Sequence, residues 1–264
     1  MDPTHKPRAA TQTTPTNGGL AIRNADSMVV PQIRELIPQK IRAYHGATTD
    51  EHHRYRSWEH CYGYFRKCTP QPIAADRHLA ALQLAIYLAS WGMYRGSSFL
   101  LQRAYTVHLG VIDQLAQPCF AVLWKQEFGA GEIDTELLPL VLSAADAVRQ
   151  VYRPFAPATD SRQPSDTLVT KVILGTLGCL PAYDRYFIAG FKSAGVSFSS
   201  LNAQSVDRIL QFCHDNLAAL RIEQARIEKV SGIRYPLMKL VDMYFWQIGF
   251  ERSTREPGAQ TSIS

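Results

Sequence analysis

The chain has 264 residues, with 28 Lys and Arg against 23 Asp and Glu, a formal net charge of +5 and a sequence pI of about 9.0. Apolar residues make up 46% of it and charged residues 19%, which is the balance of a globular protein and excludes a fibrous or wholly disordered chain. The positive charge permits a polyanionic partner such as DNA but does not require one.

Cysteine and histidine spacing gives no sign of a metal site. None of the five cysteines (Cys61, Cys68, Cys119, Cys179 and Cys213) forms a C-x-x-C pair, and the eight histidines contain no H-E-x-x-H spacing. We therefore expect buried, reduced thiols, no metal and no cofactor. Residues 1–28 lack the apolar run of a secretory signal, and Leu79–Met93 is too short to span a bilayer. A cytoplasmic protein without membrane contact is expected.

In chain order, a polar arm at residues 1–28 precedes a helical region at 29–252 and a polar tail at 253–264. Both ends carry too few apolar residues to offset their ordering entropy and are expected to be flexible. The middle has apolar residues at helical spacing and weak strand signals, which predicts one all-α domain. Helices are expected at residues 30–44, 53–66, 79–94, 97–115, 120–128, 137–152, 166–177, 184–193, 200–222 and 236–250.

Two of these helices carry further expectations. Pro38 should kink or split the first, because proline removes a backbone donor inside a helix. Leu79–Tyr94 is apolar on nearly all sides, which predicts a central, buried helix.

The most informative stretch is Val169–Phe187, V-T-K-V-I-L-G-T-L-G-C-L-P-A-Y-D-R-Y-F. A cap at Ser165 or Asp166 begins its first helix, and Gly178 suits the left-handed position that ends one. Pro181 prevents the helix from resuming at once, so that Asp184 falls at the N-terminus of the next helix. A carboxylate there is favoured by the helix dipole, and Asp184 is therefore either a helix cap or a functional group.

This order of helix, Gly-ended turn, proline, extended segment and Asp-led helix resembles the helix–hairpin–helix base-excision DNA glycosylase superfamily. The segment Tyr235–Gly249 resembles a late helix of divergent members that carries a D-x-x-x-W-x-x-G pattern. The resemblance implies a glycosylase-like helical fold, double-stranded DNA as partner, no metal, and Asp184 as the catalytic residue at the start of its helix.

The chain departs from the family at two points. The Gly-rich hairpin that grips a DNA phosphate is replaced by Ser161–Asp166, which has no glycine, so that Arg162 or a helix N-terminus would take over phosphate contact. Bifunctional members carry a nucleophilic lysine near the start of the second hairpin helix. Lys171 lies about one turn beyond that position, and is a candidate nucleophile, a helix anchor or a phosphate contact.

Four further side chains are candidates for substrate contact. Three of them lie within five residues at the end of an apolar helix, beside small residues: Trp91, Tyr94 and Arg95. The two rings are suited to stacking on a base, and Arg95 is suited to binding a phosphate. Tyr183 is a third candidate for stacking. The alternative is that the rings belong to the core and that Arg95 pairs with a buried acid.

Basic residues elsewhere are candidates for DNA contact. Arg54–Lys67 interleaves basic and aromatic residues, as nucleic-acid contacts do, but also as an amphipathic helix with a solvated basic face does. Arg185 and Lys239 are predicted DNA contacts. Lys239 can also pair with Asp242 three residues later, while Asp242 could instead hold Arg95 or Lys171.

The resemblance implies hydrolysis of an N-glycosidic bond after the base is flipped from the stack, with ionised Asp184 stabilising the oxocarbenium-like sugar. Divergent members repair damaged bases or remove modified bases from phage DNA, and the altered hairpin favours a specialised role such as antiphage defence. The alternative is a non-enzymatic helical nucleic-acid-binding or scaffold protein in which Asp184 only caps a helix.

Overall fold

The computed structural model describes residues 35–67, 76–96, 98–131, 134–156, 164–195 and 200–255 as α-helices joined by turns, with no β-strand in these ranges. The helices are α1 at 35–46, α2 at Arg56–Lys67, α3 at Arg77–Ser90, α4 at Leu109–Leu115, α5 at Asp134–Tyr152, α6 at Asp166–Thr176, α7 at Arg185–Ser193, α8 at Ala203–Asp215, α9 at Leu217–Ser231 and α10 at Leu237–Arg255. The prediction of an all-α chain is confirmed for this part. No helix in it is long and apolar enough to cross a bilayer.

The two central helices are α6 and α10. Every residue of α6 from Leu168 to Thr176 is buried, as is every residue of α10 from Leu237 to Trp246. The prediction that Leu79–Tyr94 is the central helix is wrong, because Leu79, Leu82 and Ile86 on α3 are 38%, 37% and 59% exposed. The apolar content of a helix does not by itself show whether other helices surround it.

Helix ends follow local chemistry closely around α6 and α7. The Ser165 side chain accepts the Leu168 N–H and begins α6, as predicted. Gly178 has a φ of 72° and donates its N–H to the Ile173 carbonyl oxygen, which confirms the left-handed end. An extended segment then leads to Asp184, which is the N-cap of α7.

Helices α7 and α10 cross without side chains between their backbones. A Cβ on Gly190 would collide with the Phe245 carbonyl group, and one on Gly249 would collide with the Tyr186 carbonyl group. Glycine at both positions therefore allows the backbones to touch. This crossing fixes the start of α7, and hence Asp184, against α10.

Several predicted helices have different bounds. Residues 97–115 contain two 3₁₀ turns, Phe99–Gln102 and Tyr105–His108, before α4, and residues 120–128 form turns after a 3₁₀ turn at Pro118–Phe120. The predicted helix 200–222 is divided at Asn216, whose side chain donates to the Phe212 carbonyl oxygen and competes with the helical ladder.

Two helices run further than predicted. α1 continues through Pro38, so no split occurs there. α10 extends to Arg255, so residues 253–255 are helical, whereas the rest of the predicted tail and the arm at 1–28 lie outside the described residues.

Of the two readings of Arg54–Lys67, the structure has the amphipathic one, because the rings of Tyr55, Trp58, Tyr62 and Phe65 are buried. The expectation of buried thiols holds for Cys61, Cys179 and Cys213 and is wrong for Cys119, which is exposed; Cys68 lies outside the described residues.

Candidate functional site

Asp184 and Lys171 form an ion pair at the start of α7. Lys171 Nζ lies 3.0 Å from Asp184 Oδ2, and the two side chains are 4% and 13% exposed. Asp184 Oδ1 accepts the N–H groups of Tyr186 and Phe187, each at 3.1 Å. The cap role of Asp184 is thus confirmed, and the same carboxylate holds a lysine from the centre of α6 beside it.

A second ion pair lies nearby on α10. Lys239 Nζ is 2.8 Å from Asp242 Oδ2, and both side chains are almost fully buried. Asp242 Oδ1 accepts the Ala182 N–H at 3.0 Å, while Lys239 donates to the Tyr44 hydroxyl at 3.1 Å. Burial lowers the pKa of Lys239, and Asp242 opposes this. Asp242 therefore ties α10 to the segment that leads into Asp184.

Five rings pack beside the ion pairs and are called here the aromatic cluster: Tyr44, Tyr55, Trp91, Tyr186 and Trp246. Tyr55 is stacked between Tyr44 and Trp91, with centroids 4.6 and 5.1 Å away. Trp246 meets Tyr44, Tyr55 and Tyr186 at steep angles, at 5.4, 5.6 and 5.0 Å. The rings come from five separate segments of the chain, namely α1, the turn before α2, the turn after α3, α7 and α10.

Three cations surround the Trp91 indole. Lys171 Nζ is 4.7 Å from a Trp91 ring centroid, Arg54 Cζ is 5.3 Å away and Lys239 Nζ is 5.8 Å away. Such contacts stabilise a cation over an aromatic face. Arg54 is exposed and has no ion-pair partner in the described part of the chain, which leaves a free positive charge at the solvent side of the cluster.

Two donors in the aromatic cluster have no acceptor among the residues that the structure describes. Trp91 Nε1 and Trp246 Nε1 are both buried and make no hydrogen bond to any of them. A buried donor without a partner costs about 1–3 kcal/mol, which a ligand acceptor or an ordered water molecule would recover. A group that entered the cluster would therefore meet aromatic ring faces, the Lys171–Asp184 ion pair and two indole N–H donors.

The neighbours of Trp91 in sequence do not join the cluster. Tyr94 Oη lies 2.6 Å from His108 Nε2, and His108 Nδ1 lies 2.6 Å from the Tyr152 hydroxyl. Burial raises the pKa of Tyr94 to about 12 and lowers that of His108 to about 4. Arg95 is exposed, folds over Gly92, and makes no ion pair with a buried acid among the described residues.

The remaining predicted contacts lie in three different environments. The Tyr183 ring is buried in the core, with its hydroxyl 2.9 Å from Ser205 Oγ, so it is not placed to stack on a base. Lys239 is only 3% exposed and cannot reach a phosphate in this arrangement. Arg185 is exposed, with Cζ 4.5 Å from the Tyr186 ring centroid. Arg162 lies outside the described residues.

Sequence reasoning named Trp91 but missed Tyr44 and Tyr186 as members of the aromatic cluster, where they contact Tyr55 and Trp246. Both residues belong to ordinary helical patterns, and their proximity depends on how α1 and α7 pack against α10. The D-x-x-x-W pattern did carry a signal, since Asp242 and Trp246 both lie at the site.

Within the described ranges no three His, Cys, Asp or Glu side chains are grouped to hold a metal ion. Comparisons of the chain with protein-family models, with curated proteins and with solved structures find no match.

Proposed function

We propose that the chain is a DNA glycosylase-like enzyme that hydrolyses the N-glycosidic bond of a flipped, modified or damaged base. The observation that carries the proposal is the Lys171–Asp184 ion pair at the border of the aromatic cluster, with the carboxylate still 13% exposed. A carboxylate that stabilises the sugar cation and ring faces that stack on a flipped base are groups that this reaction uses, and the Lys171 amine would hold the carboxylate in place.

The proposed reaction breaks the bond between the sugar C1′ and the base nitrogen, and the bonding electron pair leaves with the base. Positive charge then develops on the sugar, and the Asp184 carboxylate stabilises it. A water oxygen forms the new bond to C1′, while Asp184 accepts the proton that the water loses. Because Lys171 and two backbone N–H groups hold it, the carboxylate needs little reorganisation as the charge develops.

The aromatic cluster would form the walls of the base site. Trp91 lies in the turn after α3, beside Gly92 and Gly96, which have φ values of 74° and 59°. A flipped base reaches Asp184 when the Trp91 ring moves from its stacked position on Tyr55, and this turn is where the chain would bend. The unpaired indole N–H groups of Trp91 and Trp246 would then donate to acceptors on the base.

Exposed cations at the rim would contact the DNA backbone. Arg54 lies over the Tyr55 ring of the aromatic cluster, and Arg185, which follows Asp184 in the chain, lies over the Tyr186 ring. Neutralising phosphates in this way gives binding that weakens as salt concentration rises. The excess of basic residues in the chain favours the same partner.

The test incubates the full chain with duplexes that carry damaged bases or bases modified as in phage DNA, and measures abasic sites. We expect one class of duplex to be cleaved to abasic product and Asp184→Asn to abolish this, because asparagine keeps the cap but removes the charge. Asp76→Asn is the matched control, since Asp76 also caps a helix, α3, by accepting the Leu79 N–H. Equal loss of activity in both variants, or full activity of Asp184→Asn, contradicts the proposal.

The role of Lys171 is tested separately by reduction with borohydride during the reaction. A lysine that attacks C1′ leaves a covalent protein–DNA adduct, whereas a lysine that only positions Asp184 leaves none. We expect no adduct, because the Lys171 amine is held in the ion pair. An adduct that Lys171→Gln removes would assign lyase chemistry to this residue.

One observation favours a non-enzymatic alternative, in which the chain is a helical nucleic-acid-binding or scaffold protein. Each oxygen of Asp184 already has a partner inside the protein, as expected for a purely structural residue. DNA binding without abasic product on any duplex would support the alternative. Abasic product from phage-type modified duplexes alone would instead support a role in antiphage defence.

A further inference from the structure

A concave pocket of about 360 Å³ lies away from the candidate site, between the end of α2, the turn at residues 125–128, the end of α6 and the start of α10. Its wall includes Leu177 and Gly178, which follow Lys171 by six and seven residues. At 1.5 Å per helical residue, the pocket begins about 9 Å along α6 from Lys171. It is therefore a separate site, and nothing in the proposed reaction uses it.

The pocket is strongly basic. Arg66, Lys67, Lys125 and Arg234 line it, against Glu127 as the acidic lining residue. Both carboxylate oxygens of Glu127 accept hydrogen bonds from outside the lining, because Arg221 Nη1 donates to Oε2 and Gln224 Nε2 donates to Oε1, each at 2.5 Å. Within the lining, Arg234 Nη2 lies 3.7 Å from Glu127 Oε2.

Three of the lining cations have no acid to neutralise them. Arg234 bonds to Glu228 at 3.0 Å, but Arg66, Lys67 and Lys125 form no ion pair with any residue of the described ranges. These three side chains are exposed at the mouth of the pocket. An anion that enters meets uncompensated positive charge.

The Arg66 guanidinium is held in place before any ligand arrives. Its Nη1 donates to the Trp124 carbonyl oxygen at 2.9 Å, and its Cζ lies 5.2 Å from the Tyr62 ring centroid and 5.7 Å from that of Trp124. A guanidinium has five N–H donors, so most of them remain available. A fixed arginine loses less side-chain entropy on binding than a free one.

We propose that this pocket binds the phosphate group of a small phosphorylated molecule. Arginine and lysine together are the side chains that recognise phosphate oxygens, through several charge-assisted hydrogen bonds. The volume lies at the lower end of the range for small-molecule sites, which suits a monophosphate. Buried Tyr62, Phe128 and Leu177 close the floor, so the pocket accepts a terminal phosphate that can enter it, and a continuous DNA backbone stays outside.

The test measures binding to the full chain by calorimetry, with inorganic phosphate, adenosine monophosphate, adenosine and a single-stranded oligonucleotide as probes. We expect adenosine monophosphate to bind and adenosine not to. Lys125→Glu should weaken binding by about tenfold or more, because it replaces an attractive charge with a repulsive one. Lys192→Glu on α7 changes the net charge equally, lies outside the pocket, and should leave binding unchanged.

A second variant tests the cavity itself without altering charge. Gly63 lines the pocket, and a Cβ there would meet only Ile233 Cδ1, at 3.7 Å. Gly63→Met fits the helix and fills the space, so binding should be lost while the melting temperature is kept. Among the probes, the proposal is overturned if no phosphate compound binds, if only the oligonucleotide binds, or if adenosine binds as well as its monophosphate. Among the variants, it is overturned if Lys125→Glu and Lys192→Glu have the same effect on binding, or if Gly63→Met binds normally.

Discussion

The backbone contact between α7 and α10 gives the sharpest prediction of stability. Gly190→Ala adds one methyl group where the Phe245 carbonyl carbon lies only 2.8 Å from the new Cβ position and the carbonyl oxygen lies closer still. Ordinary contact begins at 3.4 Å, so the carbonyl carbon alone must retreat by about 0.6 Å. All three nearest atoms belong to the backbone of Phe245 and Gly249, which cannot rotate away as a side chain can.

The expected cost exceeds the helix-propensity gain. Alanine is favoured over glycine inside a helix by about 1 kcal/mol, and this alone would stabilise the variant. Overpacking typically costs about 1–3 kcal/mol, and more where only backbone can move. Because only backbone can move here, we take the overpacking cost at about 3 kcal/mol or more, and subtracting the propensity gain leaves a net fall in the free energy of unfolding of about 2 kcal/mol or more. The melting temperature should fall by about 2–4 °C for each kcal/mol.

Urea unfolding of Gly190→Ala and Gly46→Ala provides a paired measurement. Gly46 ends α1 with a φ of −56°, and nothing lies within 4 Å of an added Cβ. The same substitution should therefore be neutral there or stabilise by about 0.4–1 kcal/mol. If both variants unfold at the same urea concentration as the parent, the steric reasoning fails.

Three further predictions concern groups described above. Asp242→Leu should lower the free energy of unfolding by about 3–5 kcal/mol because it leaves Lys239 buried and unpaired, and the double variant with Lys239→Met should recover much of this in the same chemical denaturation. Burial lowers the pKa of His108 from 6.5 in the unfolded chain to about 4 in the fold, so protonation favours the unfolded state. The free energy of unfolding should therefore be unaffected by this group above pH 6.5 and should fall by roughly 3 kcal/mol as the pH drops to 4. In unfolding measured against pH, His108→Gln should flatten that slope, and an unchanged slope would refute the prediction. Ser165→Ala should cost about 1 kcal/mol, seen as a lower melting temperature, while Ser165→Asp should not.

The parts of the fold that could be predicted from sequence are those fixed by neighbouring residues. Ser165, Gly178 and Asp184 each act on backbone groups within five residues, and the structure has all three in their predicted roles. The Lys239–Asp242 pair is equally local, since both residues lie on one turn of α10.

The parts that could not be predicted depend on how distant segments pack. Lys239 was expected to reach DNA, but Tyr44 and Trp58 from other helices cover it. Tyr183 is buried against Ser205, and Ile86 is exposed on the helix expected to be central. A local sequence pattern does not show which residues the other helices will cover.

The candidate site shows the same division. The cap role of Asp184 follows from its position, but its pairing with Lys171 requires the extended segment to return alongside α6. Tyr183 fixes that return, because its N–H donates to Thr170 Oγ1 and its carbonyl oxygen accepts from Thr167, both at 2.8 Å. These two threonines on α6 gave no recognisable signal in the sequence.

In each of the two ion pairs the acid and the lysine have fixed positions, and this limits how the protein can evolve. Asp184 faces the N-terminus of α7 and Asp242 accepts the Ala182 N–H, so neither acid can exchange places with its lysine. Loss of one charge strands the other in a buried site. Descendants of this chain that keep the proposed activity should therefore keep Lys171 and Asp184, whereas positions 239 and 242 should change only together, to two apolar residues rather than to the reversed charges.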